Sequence, residues 1–276
     1  MGTLDRRIAK FEKRYGHKPV AIITGGSSGM GLCYARELAS RGCNLVLVSI
    51  QEKELQEQSK ALRDEFGVDV KYRYQNLATD NAAEELIAYL DELGIETDIL
   101  INNAGMFFFK EMSEQLIAKA EMMLKLHIFT VTKLSFLMGL KYRERGYGYI
   151  LNVSSMADSL PMPGITMYSA TKAYLTSFSR SLFFEMRDYG VGVTVVCPAA
   201  IATPLYGLNK GLMKLGVGVG LISRPEWLVK RALKGMFAKR RMLRPAFMNI
   251  YLPPLIALLP KWAVSFAWNK LKYRFN

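Results

Sequence analysis

Tyr168 and Lys172 are the residues of this sequence whose types and spacing best suit chemistry. Both lie in an apolar-periodic run, residues 167–186, which predicts a helix, and residues four positions apart share one face of a helix. A nearby ammonium favours the phenolate, so Lys172 should lower the pKa of the phenol from its usual value of about 10. Tyr168 is therefore a candidate proton donor for a reduction, or a base for an oxidation. The spacing alone also fits a solvated surface pair.

A glycine-rich stretch between a predicted strand and a predicted helix indicates a phosphate-binding turn. Residues 20–24 are a short β-branched apolar run, typical of a buried parallel strand, and the helical pattern starts at Leu32. Glycines between them let the chain turn sharply and let a ligand approach the backbone, while N–H groups at the helix start attract a pyrophosphate. The candidate residues are Thr24, Gly25, Ser27, Ser28, Gly29, Met30 and Gly31. A plain glycine-rich turn is the alternative.

Strand and helix patterns alternate along most of the chain, which predicts an α/β fold. Short apolar runs predict strands at 20–24, 44–49, 69–74, 98–102, 148–154, 191–197 and, briefly, 242–244. Amphipathic patterns predict a lead-in helix within 1–18 and helices at 32–41, 52–66, 80–93, 112–141, 167–186 and 225–239. This order predicts one doubly wound, Rossmann-like domain with a parallel sheet of about seven strands, helices on both faces, and ligands at the carboxyl ends of the strands.

The composition indicates a globular chain with a strongly basic end. The 276 residues carry a net charge of +13, and half of them are hydrophobic. Six Lys and six Arg against a single Glu give residues 224–276 a charge of +11. Cys33, Cys43 and Cys197 lack the spacing of a metal site or a disulfide framework, so neither is expected. The N-terminal residues lack an apolar signal core, which predicts a cytoplasmic protein.

Together and in this order, the motifs resemble those of classical short-chain dehydrogenases/reductases over roughly residues 18–245. The resemblance rests on Thr-Gly-x-x-x-Gly-x-Gly at 24–31, Asn-Asn-Ala-Gly at 102–105, a serine thirteen residues before the tyrosine, Tyr-x-x-x-Lys at 168–172, and a proline-led loop after the sixth strand. It implies hydride transfer between a nicotinamide and an alcohol or ketone carbon. It also implies a single catalytic domain, residues 1–276, that forms a homodimer or homotetramer.

The resemblance assigns roles to individual residues. Tyr168 would give a proton to the carbonyl oxygen, while Lys172 lowers its pKa and holds the nicotinamide ribose. Ser155 would hydrogen-bond the same oxygen, with Ser154 as the less favoured alternative. Thr203 would contact the nicotinamide carboxamide. The implied cofactor-binding residues are Thr24, Gly25, Ser27, Ser28, Gly29, Met30, Gly31, Ser49, Asn76, Leu77, Asn103, Ala104, Gly105, Tyr168, Lys172, Pro198, Ile201 and Thr203.

Three places depart from the family pattern. His127 stands where an asparagine usually kinks the long helix and anchors a water; a histidine can relay a proton there or be purely structural. Residues 48–51 contain neither the acid that selects NAD nor the arginine that often marks NADP. Since no acid repels a 2′-phosphate and Ser49 can hydrogen-bond it, NADP(H) is favoured over NAD(H). Asn76 replaces the usual aspartate near the adenine.

Two segments near the C-terminus favour a hydrophobic substrate. Residues 204–224 are rich in Leu, Val and Gly and lie where related enzymes close over the substrate, so they predict a lid or else an ordinary flexible loop. Residues 246–276 continue beyond the family pattern with apolar and aromatic residues flanked by Lys and Arg, and prolines interrupt the apolar run. This basic, apolar extension predicts peripheral contact with an anionic membrane, or packing over the substrate mouth or onto a partner subunit. No nucleic-acid motif accompanies the charge, so nucleic acid is not expected as a partner.

These features predict an NAD(P)-dependent oxidoreductase that interconverts a ketone and a secondary alcohol on a lipid-like molecule. A 3-keto lipid, a ketosphingoid base and a steroid all suit the apolar lid and extension. The alternative is a sensor or scaffold protein that binds dinucleotide and lipid and has only weak catalysis. The replacement of the usual asparagine by His127 would then indicate lost catalytic activity. The presence of Ser155, Tyr168 and Lys172 favours the enzyme. The expected location is the cytoplasm, and the membrane periphery if the extension binds lipid.

Overall fold

Seven parallel strands form the centre of the fold. The computed structural model describes residues 2–160, 162–199, 201 and 223–245, together with 258, 260, 262, 265, 266 and 268–270. The strands are β1 (Val20–Thr24), β2 (Asn44–Ser49), β3 (Val70–Tyr74), β4 (Ile99–Asn102), β5 (Gly148–Val153), β6 (Val191–Val196) and β7 (Met242–Leu243). They lie in the order β3-β2-β1-β4-β5-β6-β7, and every neighbouring pair is parallel. The predicted doubly wound sheet is confirmed.

Helices cover both faces of the sheet. They are α1 (Thr3–Tyr15), α2 (Gly29–Ala39), α3 (Glu52–Phe66), α4 (Ala82–Glu92), α5 (Ile117–Leu124), α6 (Thr130–Arg145), α7 (Thr166–Arg187) and α8 (Pro225–Phe237). One core cluster joins α1, α2, α3 and α8 to the sheet, and a second joins α4, α6 and α7 to its other face.

The inner strands β1, β2 and β4 are apolar at nearly every position because both of their faces are buried, whereas the edge strand β3 is largely exposed and contains Lys71 and Arg73. Ile23 and Leu47 point into the cluster with α2, whereas their neighbours Ile22 and Val46 point into the cluster with α4 and α6. A continuous β-branched run therefore identifies such a strand in the sequence, which is why the predicted strand bounds agree with the structure to within one residue at each end.

The predicted helix 112–141 is broken into several pieces. A 3-10 turn, Glu114–Leu116, precedes α5, and a π-helical turn, Lys125–Phe129, separates α5 from α6. A π-helical turn contains one residue more than an α-helical turn, and helical periodicity in the sequence does not reveal it. Such turns are frequent at functional sites. His127 lies in the π-helical turn.

The helical stretch Glu114–Arg145 is long and apolar enough to cross a membrane by length and composition. However, Leu134, Met138 and Tyr142 of α6 are buried in the core against the sheet. A core helix of a folded domain can have the same length and composition, so packing against the sheet explains the apolar character of this stretch.

The strand order places a crevice at the carboxyl ends of β1 and β4. From β1 the chain proceeds outward through β2 and β3, then returns to the other side of β1 as β4. Ligands of such sheets bind where the strand order reverses, because the two connections diverge there. The predicted lid, residues 204–224, and Thr203 lie outside the described residues apart from 223–224, as does most of the extension 246–276.

Candidate active site

A cavity of about 590 Å³ opens at the carboxyl ends of the strands. The predicted site residues that line it are Gly25, Ser27, Ser28, Met30, Ser49, Asn76, Leu77, Asn103, Ala104, Gly105, His127, Ser155, Tyr168, Lys172, Pro198 and Ile201. Thr24 is the last residue of β1, and Gly29 and Gly31 lie in the first turn of α2; these three predicted residues flank the glycine-rich turn and do not line the cavity. Residues that are far apart in sequence therefore meet in one place, as the predicted topology requires.

The glycine-rich turn is fixed by contacts that a side chain would prevent. Gly25 has φ +67°, in the left-handed region that glycine favours. A Cβ on Gly31 would lie 1.9 Å from the Gly25 carbonyl oxygen, so the start of α2 packs directly on the turn. The N–H groups of Asn103 and Ala104 donate to Thr24 Oγ1 at 2.9 and 3.0 Å. Thr24 and Gly31 thus shape the turn and join it to the end of β4.

This turn fits the pyrophosphate of a dinucleotide. Glycine keeps the backbone open to a ligand, and the start of α2 presents main-chain N–H groups. Gly25, Ser28 and Met30 line the cavity at that point. The sheet edge from Ser49 to Asn76 would then receive the adenosine half, and the edge from Asn103 to Pro198 the nicotinamide half.

Hydroxyl and amide groups line the cavity beyond β2. Ser27 Oγ lies 2.7 Å from Ser49 Oγ, and Ser27 and Ser28 both donate to Gln51 Oε1 at 2.9 Å. Gln51 was not among the predicted site residues, and only its position two residues after Ser49 could have suggested it. Among the described residues that line the cavity, Lys172 alone carries a charge. No carboxylate therefore opposes a phosphate at this end of the described cavity.

Tyr168 and Lys172 lie side by side on α7 and are buried, with 5% and 6% of their surfaces exposed. Lys172 Nζ lies 5.6 Å from the centre of the Tyr168 ring and donates to the Val153 carbonyl at 2.9 Å. Burial lowers the pKa of Lys172 from 10.5 to about 8, because the interior disfavours the ammonium. The alternative of a solvated surface pair is wrong.

The two serines at the end of β5 have different contacts. Ser154 Oγ donates to the Lys172 carbonyl at 2.9 Å and lies 2.8 Å from Thr176 Oγ1, so it packs against α7. Ser155 Oγ accepts from the Ala157 N–H at 3.2 Å, capping the 3-10 turn that follows. Within the described residues Ser155 accepts without donating, and its hydroxyl proton can point to a substrate oxygen. This geometry favours Ser155 over Ser154.

His127 is buried, and both of its ring nitrogens are engaged. Its Nε2 accepts from the Met106 N–H at 3.0 Å, so the ring proton is on Nδ1, which lies 3.0 Å from Thr171 Oγ1. Thr171 in turn donates to the Tyr168 carbonyl at 2.9 Å. Burial, and secondarily the charge of Lys172, hold the pKa of His127 well below 6.5. A neutral ring with both nitrogens occupied favours the structural alternative over a proton relay.

An apolar wall surrounds the phenol of Tyr168. Phe107 meets the Tyr168 ring edge-on, with 5.0 Å between ring centroids. The residues packed around Tyr168 in this cluster are Met106, Phe107, Phe108, Met123, Ala157, Ile165 and Met167. Hydrophobic contacts and a few oriented polar groups are typical of small-molecule sites.

An ion pair that the sequence did not predict holds the turn after Ser155. Arg244 Nη2 lies 2.9 and 2.8 Å from the two carboxylate oxygens of Asp158, and Thr176 donates to the same carboxylate at 2.8 Å. The Asp158 side chain is almost fully buried. This pair ties the turn capped by Ser155 to the residue that follows β7. The two residues are 86 positions apart, and no local pattern links them.

The fold and the site together define a class of protein. A doubly wound sheet with a glycine-rich turn at its crevice is a dinucleotide-binding fold. A buried tyrosine beside an ammonium and a serine hydroxyl is a proton-transfer site next to that crevice. The class is a dinucleotide-dependent oxidoreductase.

Comparison with known proteins identifies the family. Residues 19–210 match the model of the short chain dehydrogenase family. A very-long-chain 3-oxoacyl-CoA reductase of Macaca fascicularis is 31% identical over 250 residues, which are 88% of this chain and 76% of that protein. A 17-beta-hydroxysteroid dehydrogenase type 3 of Mus musculus is 33% identical over 187 residues, covering 67% and 61%. The chain belongs to the short-chain dehydrogenase family, so the predicted family and enzyme class are confirmed.

A solved structure supports the same assignment. A short-chain dehydrogenase from Sphingobium yanoikuyae in complex with NADPH is 29% identical, with a TM-score of 0.74, and the match covers 88% of this chain and 97% of that one. The family uses NAD(P), and this oxidoreductase is therefore a nicotinamide-dependent enzyme.

Proposed function

We propose that this oxidoreductase reduces the ketone of a hydrophobic, lipid-like substrate with NADPH, and that Tyr168 donates the proton. The observation that carries the proposal is the buried Tyr168–Lys172 pair facing an apolar wall. The relatives named for 3-oxoacyl-CoA and hydroxysteroid chemistry support a 3-keto lipid or a steroid. Of these, a long-chain 3-oxoacyl thioester is the first substrate class to test.

The chain's own residues supply binding, orientation and a proton. The nicotinamide supplies hydride when it is bound. Tyr168 gives its phenolic proton to the carbonyl oxygen as the negative charge develops there. Ser155 donates a second hydrogen bond to the same oxygen, and Lys172 stabilises the phenolate that remains on Tyr168. Phe107 and its apolar neighbours exclude water from this oxygen and so strengthen each of these interactions.

Turnover of a panel of ketones with NADPH and with NADH, followed by loss of nicotinamide absorbance, tests the proposal. The panel holds a long-chain 3-oxoacyl-CoA, its short-chain analogue, a ketosteroid and a small polar sugar ketone. Each CH₂ that enters an apolar site contributes about 0.8 kcal/mol, so four more of them should raise kcat/KM about two hundredfold. A sugar ketone that turned over faster than every apolar ketone would contradict the proposal.

The NADPH preference depends on the end of β2, and Ile50 tests it. This side chain lines the cavity next to Ser49 and is 62% exposed, so a charge there does not disturb the core. Ile50→Arg should lower the dissociation constant of NADPH about tenfold, because a guanidinium pairs with a 2′-phosphate. Ile50→Glu should raise that constant about tenfold by repulsion. Fluorescence titration of each variant measures both.

Ile50→Gln is the matched control, because it is polar and similar in size to glutamate without the charge. NADH lacks the 2′-phosphate, so Ile50→Arg should leave its dissociation constant unchanged within about twofold, and Ile50→Glu should not raise it, because a carboxylate there can accept from the ribose 2′-hydroxyl. If Ile50→Glu weakened NADH and NADPH equally, the ribose would not lie at this edge, and the basis for the NADPH preference would be removed.

The oligomeric state, a homodimer or homotetramer, stays a prediction.

A further inference from the structure

Within the C-terminal segment, residues 246–276, Trp268 contacts the rim of the candidate active site. The ring centroid of Trp268 lies 6.0 Å from that of Phe109, two residues beyond the Phe107 that touches Tyr168. The Lys110 N–H donates to the Gly164 carbonyl at 3.0 Å. This bond joins the loop after β4 to the loop before α7, and Trp268 packs on the edge that the two loops form.

Gly164 makes this close packing possible. A Cβ on Gly164 would lie 2.9 Å from Phe109 Cζ and 2.9 Å from Trp268 Cζ3, which is closer than van der Waals contact allows. Gly164 also has φ +82°, a conformation that other residues rarely adopt. The loop is therefore shaped to accept the two aromatic rings together.

The same segment directs two large aromatic side chains away from the protein. Trp262 and Phe266 are helical and are 73% and 66% exposed. Trp268, in contrast, is partly buried and contacts Phe109. Trp268 can thus pack on the entrance while Trp262 and Phe266 face outward. Tryptophan and phenylalanine exposed in this way suit the interface of a lipid bilayer.

The charge of the segment complements an anionic surface. Residues 246–276 contain Lys261, Lys270, Lys272 and Arg274, and no Asp or Glu. Each basic residue close to an anionic membrane contributes about 1 kcal/mol of binding free energy. Exposed aromatic side chains and positive charge together favour an anionic bilayer as the partner. A second copy of this chain is disfavoured, because two basic segments repel each other.

We propose that the C-terminal segment binds the surface of an anionic lipid bilayer through Trp262 and Phe266, and that this contact holds the entrance beside Trp268 at the membrane. An apolar ketone dissolved in the bilayer then reaches Tyr168 without crossing water. The bilayer contact does not depend on which ketone is reduced. Only the delivery of substrate rests on the proposed function.

Sedimentation of the full chain with lipid vesicles tests the contact without any turnover. Wild-type protein should partition onto vesicles of phosphatidylcholine mixed with phosphatidylserine, and much less onto phosphatidylcholine alone. The variant Trp262→Ala/Phe266→Ala should partition at least about tenfold more weakly onto the mixed vesicles. Trp227→Ala/Phe184→Ala removes the same two side-chain types from exposed positions on α8 and α7, and should bind as wild type does.

Equal partitioning of the wild type and Trp262→Ala/Phe266→Ala would overturn the proposal. A second result would also overturn it: in sedimentation velocity without lipid the wild type is a dimer and this variant is a monomer, while the vesicle binding of the variant is unchanged. The two aromatic side chains would then bind a second copy of the chain and not a bilayer. If the wild type binds the mixed vesicles as expected but reduces no ketone of the panel, the proposed reaction is rejected and the membrane contact is retained.

Gly164→Ala tests the link between the segment and the entrance. The added Cβ should displace Trp268, and acrylamide quenching of tryptophan fluorescence should increase. Gly16→Ala is the matched control, because Gly16 has φ +78° and no atom within 4 Å of its Cβ position. It introduces the same backbone strain without the clash. Equal quenching in the two variants would overturn the link to the entrance.

Discussion

Tyr168→Phe should lower kcat/KM for ketone reduction about a thousandfold and leave NADPH binding intact. The substitution removes only the hydroxyl that would protonate the carbonyl oxygen, and loss of a positioned acid typically costs 10²- to 10⁴-fold, about a thousandfold at the middle of that range. The ring of phenylalanine can keep the edge-on contact with Phe107. Steady-state kinetics on the best ketone of the panel, together with a fluorescence titration of NADPH, separates the two effects.

Tyr174→Phe is the matched control for this experiment. It removes the same atom from the same helix, at a partly exposed ring whose hydroxyl lies 2.9 Å from Thr132 Oγ1. Its kcat/KM should equal that of the wild type within about twofold. If Tyr168→Phe retained more than about a tenth of the wild-type rate, another group would supply the proton. If the wild type itself bound NADPH but reduced no ketone, the sensor or scaffold alternative would replace the enzyme.

The sheet could be predicted because its sequence signal is local. Ile22 and Ile23 face opposite helical layers, so burial on both sides demands apolar residues in succession. The location of the candidate site followed from the topology, since parallel strands bring their carboxyl ends to one edge, whereas the roles of its residues were implied by the family resemblance. Ser155, Tyr168 and Lys172 are therefore neighbours although 17 positions separate the first from the last.

The contacts that support the site could not be predicted, because they join distant positions through geometry. His127 was recognised as unusual, but its bonds to Met106 and Thr171 depend on a π-helical turn that periodicity does not show. The pairing of Asp158 with Arg244 has no motif of any kind. In the same way, the sequence left three alternatives for the extension, namely a membrane, the substrate mouth or a partner subunit, and the contact of Trp268 with Phe109 could not be predicted because it also joins distant positions.

Lys172→Met should abolish most of the activity and make the protein more stable at neutral pH. The difference between a pKa of 10.5 and one of about 8 means that holding the Lys172 ammonium in the interior costs about 3 kcal/mol at pH 7. Methionine has a similar length and no charge to desolvate. Its gain is reduced by about 1 kcal/mol because the Val153 carbonyl loses its hydrogen bond from Nζ. Urea unfolding should therefore show a net increase of about 2 kcal/mol, with kcat/KM at least a hundredfold lower.

The pH dependence of this gain distinguishes buried charge from ordinary repacking. Between pH 8 and 10.5 the unfolded chain holds a proton at Lys172 that the folded chain has released, so wild-type stability gains from this group as the pH rises through that window. The advantage of Lys172→Met should be complete below pH 8 and should shrink toward pH 10.5. Lys60→Met, at an exposed position of α3, should change stability by less than about 0.5 kcal/mol at any of these pH values.

A Lys172→Met variant that is less stable than the wild type at pH 7 would contradict the buried ammonium. A variant that is more stable but inactive would show that the chain retains a destabilising lysine at this position for catalysis.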